Sequence, residues 1–120
     1  MRITGTRTRP YELKLTRKLG DANSPSGVSR VGGLAVFIDT NEGLTGVSVG
    51  MPGTGEAIRK LGETVIGKDP RGVRGLWKRM ADSIFKGGNE GDVNYALAAI
   101  DVALWDLKAK ANGEPLWKAL

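Results

Sequence analysis

Cysteine and histidine are both absent from the 120 residues. Without cysteine there is no disulfide framework, no thiolate nucleophile and no zinc–thiolate site. Without histidine the commonest acid/base group and the commonest metal ligand are missing, so Ser-His and Cys-His machinery is excluded within this chain. Long apolar runs are missing too. The most apolar stretches are about one strand long, against the roughly 20 residues a membrane-spanning helix needs. Arg2, Arg7, Arg9 and Lys14 stand near the N-terminus without the apolar core of a signal peptide. A soluble, cytoplasmic protein with no membrane partner is the expectation.

What is present is an excess of 18 Lys+Arg over 13 Asp+Glu, a formal charge of +5, and 18 glycines. That charge permits a polyanionic partner without arguing for one. The length suits one domain that buries roughly two-thirds of its unfolded surface.

The first half reads as strands and loops, the second as helices. Residues 2–17 mix arginine, threonine and apolar residues, as in a long half-exposed strand, and Pro10 is expected to interrupt its ladder. Residues 19–31, with Gly20, Asp21, Asn23, Ser24, Pro25, Ser26 and Gly27, predict a mobile loop of a dozen residues. Leu34, Val36 and Ile38 alternate with Ala35, Phe37 and Asp39 as a strand. Asn41-Glu42-Gly43 is a hairpin connection, and the chain returns through 44–49.

A first helix is predicted over 54–66, with Thr54 as N-cap, Glu56 in the first turn and Gly67 after its end. Asp69-Pro70 predicts the start of a second. Its buried stripe would be Val73, Leu76, Trp77, Met80 and Ile84, and Gly87 and Gly88 would stop it. Val93, Leu97, Ile100, Leu104, Leu107 and Ala111 define the last long helix, and Ala96, Ala99 and Ala103 allow close contact. Gly113 ends it, and Pro115 opens a short helical piece to Leu120. Leu116, Trp117 and Leu120 form an amphipathic turn at the end, which predicts that the chain has been cut from something longer.

No motif here carries catalysis unaided. Gly50-Met51-Pro52-Gly53-Thr54-Gly55 joins a strand to a helix, but Glu56 and Ala57 stand where a phosphate loop needs Lys and Ser or Thr. Asp101 and Asp106 lie about 140° apart on a helix and cannot clasp one ion. Asp106 with Lys110 reads as an ordinary i,i+4 surface pair. Arg71, Arg74, Lys78 and Arg79 make a basic face that could touch nucleic acid, yet no stacking aromatics interleave the charges. Lys86, beside Gly87-Gly88-Asn89, could reach an anionic ligand, although a lysine near a helix C-terminus also suits the macrodipole.

Residues 98–120 closely resemble the end of the N-terminal domain of the enolase superfamily, nearest to the mandelate racemase/muconate lactonizing group. That group's pattern is Ala-x-Asp-x-Ala-Leu-Trp-Asp, followed by Lys, Gly and Pro. Ala99, Asp101, Ala103, Leu104, Trp105, Asp106, Lys110, Gly113 and Pro115 fill it. Lys68-Asp69-Pro70 with Leu76, Trp77 and Met80, and the hairpin 38–50 with Gly43-Leu44-x-Gly46, are similar as well. The third strand departs from the group, ending Gly46-Val47-Ser48-Val49-Gly50 where many relatives carry a glutamate.

The resemblance implies an α+β fold, a three-stranded antiparallel meander followed by a helical bundle. Residues 1–113 would be a capping domain, and residues 114–120 would begin the linker to a TIM-type (β/α) barrel not present in this chain. In such enzymes the barrel holds Mg²⁺ and supplies the bases that abstract a proton alpha to a carboxylate. The metal stabilises the enediolate. No catalytic or metal-ligating residue is then expected here, and Lys108-Ala109-Lys110 is not the family's catalytic Lys-x-Lys. The implied reaction is dehydration of an acid sugar, with racemisation or cycloisomerisation as alternatives, on a small carboxylate substrate and in a homo-oligomer. Two loops of the capping domain close over the barrel mouth, and their counterparts are residues 19–29 and 51–54. Arg17, Lys18, Leu19, Asp21, Asn23, Met51 and Lys86 are the candidate substrate-binding residues, acting where water exclusion strengthens electrostatic contacts. The rival readings are a basic nucleic-acid-binding module and a helical interaction module.

Overall fold

The computed structural model describes residues 1–87 and 90–120. Alternating β-branched and apolar residues build three strands, β1 (Ile3–Leu19), β2 (Val28–Thr40) and β3 (Thr45–Gly50). They pair antiparallel in the order β1-β2-β3, the expected meander. Leu34, Val36 and Ile38 are buried on one face of β2. Thr6, Thr8 and Pro10 of β1 and Gly46, Ser48 and Gly50 of β3 register on that face.

Among the described residues four α-helices follow, α1 (Gly55–Gly62), α2 (Val73–Ile84), α3 (Asp92–Ala111) and α4 (Leu116–Ala119). They cover the inner face of the sheet and give the two-layer α+β architecture. The core joins Ile3, Val36 and Ile38 to Ile58, Leu61, Val65, Met80, Ile100, Leu104 and Leu107. Helix α3 lies directly on β3. A Cβ at Gly46 would stand 2.1 Å from the Ala103 carbonyl oxygen, so only glycine admits that approach. The helix ends in a Schellman motif. Gly113 takes φ +67, its N–H donates to Lys110 C=O at 3.0 Å, and Glu114 N–H donates to Ala109 C=O at 3.0 Å. No helix among the described residues is long and apolar enough to cross a membrane.

Several expectations are corrected. The loop predicted over 19–31 is shorter, because β1 runs on to Leu19 and β2 already starts at Val28. Pro10 does not break the ladder: it pairs with Leu34 in continuous register, and the irregularities fall between Ile3 and Gly5 and between Lys14 and Leu19. β1 is an edge strand, where a residue facing outward needs no N–H. The first helix stops at Gly62 and continues as a 3₁₀ turn to Val65. Thr54 makes no side-chain cap, since its hydroxyl donates to Met51 C=O at 2.7 Å.

Asp69-Pro70 forms a turn ahead of α2 rather than its start. The Asp69 carboxylate accepts from the N–H and guanidinium of Arg71, and Gly72 precedes the helix. In the α2 stripe Val73, Leu76 and Met80 are buried, whereas Trp77 is 46% exposed on the flank facing a cleft. Beyond Ile84 the chain makes a 3₁₀ turn, Phe85–Gly87, and the predicted stop at Gly88 lies outside the described residues.

Candidate functional site

None of residues 4–32 is buried. β1 has 17 residues and β2 has 13, but β3 has only 6 and ends opposite Leu34. The outer part of the β1–β2 pair therefore stands clear of the third strand as a two-stranded arm. Its residues 9–31 carry five cations, Arg9, Lys14, Arg17, Lys18 and Arg30, against Glu12 and Asp21. Arg30 pairs with Glu12. Arg9, Lys14, Arg17 and Lys18 have no ion-pair partner among the described residues.

At the tip, residues 20–27 form a tight connection held by one carboxylate. Asp21 Oδ1 accepts the N–H groups of Asn23 and Ser24 at 2.8 and 2.9 Å. Gly27 closes the turn with φ +75, donating to Ser24 C=O at 3.0 Å. Arg17, Lys18 and Leu19 sit on the end of β1 rather than in the loop, and with Asp21 and Asn23 they are exposed. Asp21 thus organises its own turn, while Arg17 and Lys18 are the side chains free to meet an anion.

The second candidate loop lies at the root of the arm. Pro52 Cγ is 4.0 Å from where a Cβ would stand on Gly32. Four strand residues, roughly 13 Å, separate Gly32 from the start of the tip. Met51 is half exposed, and Thr54 fastens this turn through its bond to Met51 C=O. Lys86 is exposed in the 3₁₀ turn after α2, while Gly88 and Asn89 lie outside the described residues. Ile84, two residues before Lys86, shares a cleft of about 550 Å³ with Gly53. No hydrogen bond or ion pair joins the tip, Met51 and Lys86 among the described residues.

Two arrangements were not legible in the sequence. On the outer face near the arm's root, Arg7 donates to both Asp39 oxygens at 2.7 and 3.2 Å and lies 4.2 Å from the Phe37 ring centre. Hydrogen bonding from Arg7, and more weakly from Thr45, holds the Asp39 carboxyl below its usual range. Period-two patterning hints at such a pair, but only the register that sets Arg7 opposite Phe37 places Asp39 beside it. The second is Asp106. It pairs with Lys110 at 2.6 Å as expected, and it also accepts Val47 N–H at 2.8 Å, while Lys110 donates to Thr45 C=O at 2.9 Å. The pair fastens α3 to the free edge of β3.

Among the described residues no group of three or more Asp or Glu side chains stands close enough to hold a metal ion. The described residues therefore do not fit a magnesium site. What they offer is a basic arm, a turn at its root and a packed two-layer base.

Residues 25–120 match the family described as mandelate racemase / muconate lactonizing enzyme, N-terminal domain. A D-galactonate dehydratase of Variovorax paradoxus is 43% identical over 88 residues, covering 69% of this chain and 23% of that protein. An L-talarate dehydratase of a Polaromonas species, solved with Mg and L-glucarate, superposes with TM-score 0.79 at 30% identity, over 98% of this chain and 34% of that one. A Bradyrhizobium enolase, solved with magnesium and mandelic acid, superposes with TM-score 0.86 at 22% identity, over 98% of this chain and 34% of that one, a likeness of fold. The chain spans about a quarter of the length of the curated relatives it matches.

Proposed function

We propose that this chain, which belongs to the mandelate racemase / muconate lactonizing enzyme family and matches its N-terminal domain, caps the active site of an acid-sugar dehydratase. The observation that carries the reading is the basic arm, whose exposed Arg17 and Lys18 stand beside a hydrogen-bonded tip turn free of the core. The relatives named D-galactonate dehydratase and the fold neighbour named L-talarate dehydratase support an acid-sugar substrate. In that reaction a proton leaves the carbon alpha to the carboxylate, the β-hydroxyl departs as water, and the enol tautomerises to a 2-keto-3-deoxy acid. The bases and the magnesium would belong to a barrel outside these residues.

This chain's share is binding and water exclusion. Arg17 and Lys18 neutralise the substrate's anionic charge, Met51 supplies apolar cover at the arm's root, and Lys86 adds a cation from the helical layer. Excluding water strengthens each such contact. The test is turnover of D-galactonate and L-talarate by the enzyme that carries this domain, with Arg17→Ala, Lys18→Ala and the double variant. KM is expected to rise about five-fold or more while kcat changes less, because a uniformly made contact is lost. Unchanged KM and kcat for every acid sugar turned over would remove the arm from substrate binding. An epimer as product, in place of the keto acid, would replace dehydration by racemisation.

A further inference from the structure

We propose that the substrate carries a second carboxylate at its far end, so that the enzyme prefers a sugar dicarboxylate to the monoacid of the same configuration. This rests on the capping role proposed above. With the bases outside these residues, the reacting carboxylate faces away from this chain, and the arm meets the other end of the substrate. In a monoacid that end is a neutral hydroxymethyl group. The five cations of residues 9–31 have only Glu12 and Asp21 beside them, and both carboxylates are occupied. Glu12 takes Arg30, and Asp21 accepts Asn23 and Ser24 N–H. Closing such an arm over a neutral group would strand a cation away from water, which is costly without a counter-charge. A carboxylate at the far end supplies that counter-charge.

Arg17 and Lys18 stand nearest the tip at the end of β1. Successive side chains of a strand leave opposite faces, so one of the pair meets the substrate whichever face of the ribbon closes. The tip turn separates a carboxylate from a phosphate. A phosphate site gathers free backbone N–H groups. Here the N–H groups of Asp21, Asn23, Ser24 and Gly27 are all bonded within the turn. What remains is side-chain charge, and a guanidinium can give a carboxylate two parallel hydrogen bonds. β1 also precedes residue 25, where the family match begins, so these charges are read from this chain and not from the family.

The test compares hexaric acids with the hexonic acids of the same configuration, which differ only in a carboxylate or a hydroxymethyl group at carbon 6. Keto-acid formation is followed in the enzyme that carries this domain. For the configuration turned over, kcat/KM is expected to favour the diacid about tenfold or more, as for a contact to a charged group. The Arg17→Ala, Lys18→Ala double variant should lose most of that preference, and one single variant should account for it. The ratio is taken within each variant, so a smaller folded fraction does not alter it. Arg30→Ala, whose side chain is already paired with Glu12, should keep the preference. Keto acid formed equally well from the monoacid, or better from a hexonic acid phosphorylated at carbon 6, overturns the second carboxylate and leaves the dehydratase reading standing. A preference unchanged in the double variant, or lost equally in Arg30→Ala, overturns the assignment to Arg17 and Lys18. No keto acid from any pair overturns the dehydratase reading, and this inference with it.

Discussion

The Asp106 carboxylate accepts the backbone N–H of Val47 at 2.8 Å, tying the long helix to a strand edge 59 residues earlier in the chain. Lys110 completes the tie through Thr45 C=O. A free strand edge exposes unpaired donors and acceptors, and here two side chains cap it. Asp106→Ala should destabilise the fold by about 1.5–3 kcal/mol, as expected for a hydrogen bond to a charged group. Lys110→Ala should cost less, about 0.5–1 kcal/mol, because its ammonium is more exposed. Urea unfolding of both variants and the double variant measures the coupling, and strict additivity would show that the two do not act together.

Two glycines distinguish lack of space from lack of conformational freedom. Gly46→Ala drives a Cβ into the Ala103 carbonyl, with Leu107 Cβ at 2.9 Å, so helix and strand must part. A loss of about 3 kcal/mol is expected, at the upper end for overpacking. Gly43 takes φ +80 in open space, so Gly43→Ala should cost only the left-handed backbone penalty, about 1–2 kcal/mol. Equal losses in calorimetry would show that Gly46 is not chosen for close approach.

Thr54 is a second test of local assignment. Its hydroxyl belongs to the turn before α1 and not to the helix cap. Thr54→Ala should cost about 1 kcal/mol. It should also speed amide exchange within residues 51–54 more than at the first turn of α1. The reverse pattern would restore Thr54 as a cap.

Acid should weaken the protein through exposed arginine pairs. Arg59 hydrogen bonds hold the Glu56 carboxyl down to about 2 from 4.5. Arg71 similarly lowers Asp69, and Arg7 lowers Asp39. A carboxyl lowered by folding contributes stability above its unfolded value and loses it as pH falls toward its folded value. Asp101 acts oppositely, since burial raises it and protonation relieves the folded state. Unfolding midpoints at pH 6 down to 2 should therefore fall, with the Glu56 share lost between about 4.5 and 2. The fall should be shallower in Glu56→Gln and in 1 M salt, where exposed pairs are screened. A slope indifferent to both would assign acid sensitivity elsewhere.

Elements whose pattern is local and repetitive were readable in the sequence. The spacing of Leu97, Ile100, Leu104 and Leu107 predicts α3, and Gly113 falls where the helix ends. The hairpin at Gly43 follows from its need for positive φ. The length of the arm was hidden because none of its residues is buried, and strand pairing there rests on backbone bonds without a core beneath it. Thr54 and Asp69 have the chemistry of helix caps, but nearby groups compete for the same oxygens. Arg17 and Lys18 were legible as exposed cations. That Asp101 has no ion pair among the described residues was not, because it depends on what every other helix fails to bring near it.

The absence of any buried side chain over residues 4–32 has an evolutionary consequence. A substitution at the tip removes no core contact, so it falls among surface changes that usually cost within about 0.5 kcal/mol. The outer ribbon can then vary in sequence, and in tip length, while Ile3, Val36, Ile38 and α3 continue to hold the fold. Selection for a new ligand can act on one part of the molecule while selection for folding acts on another, and the two need not compete.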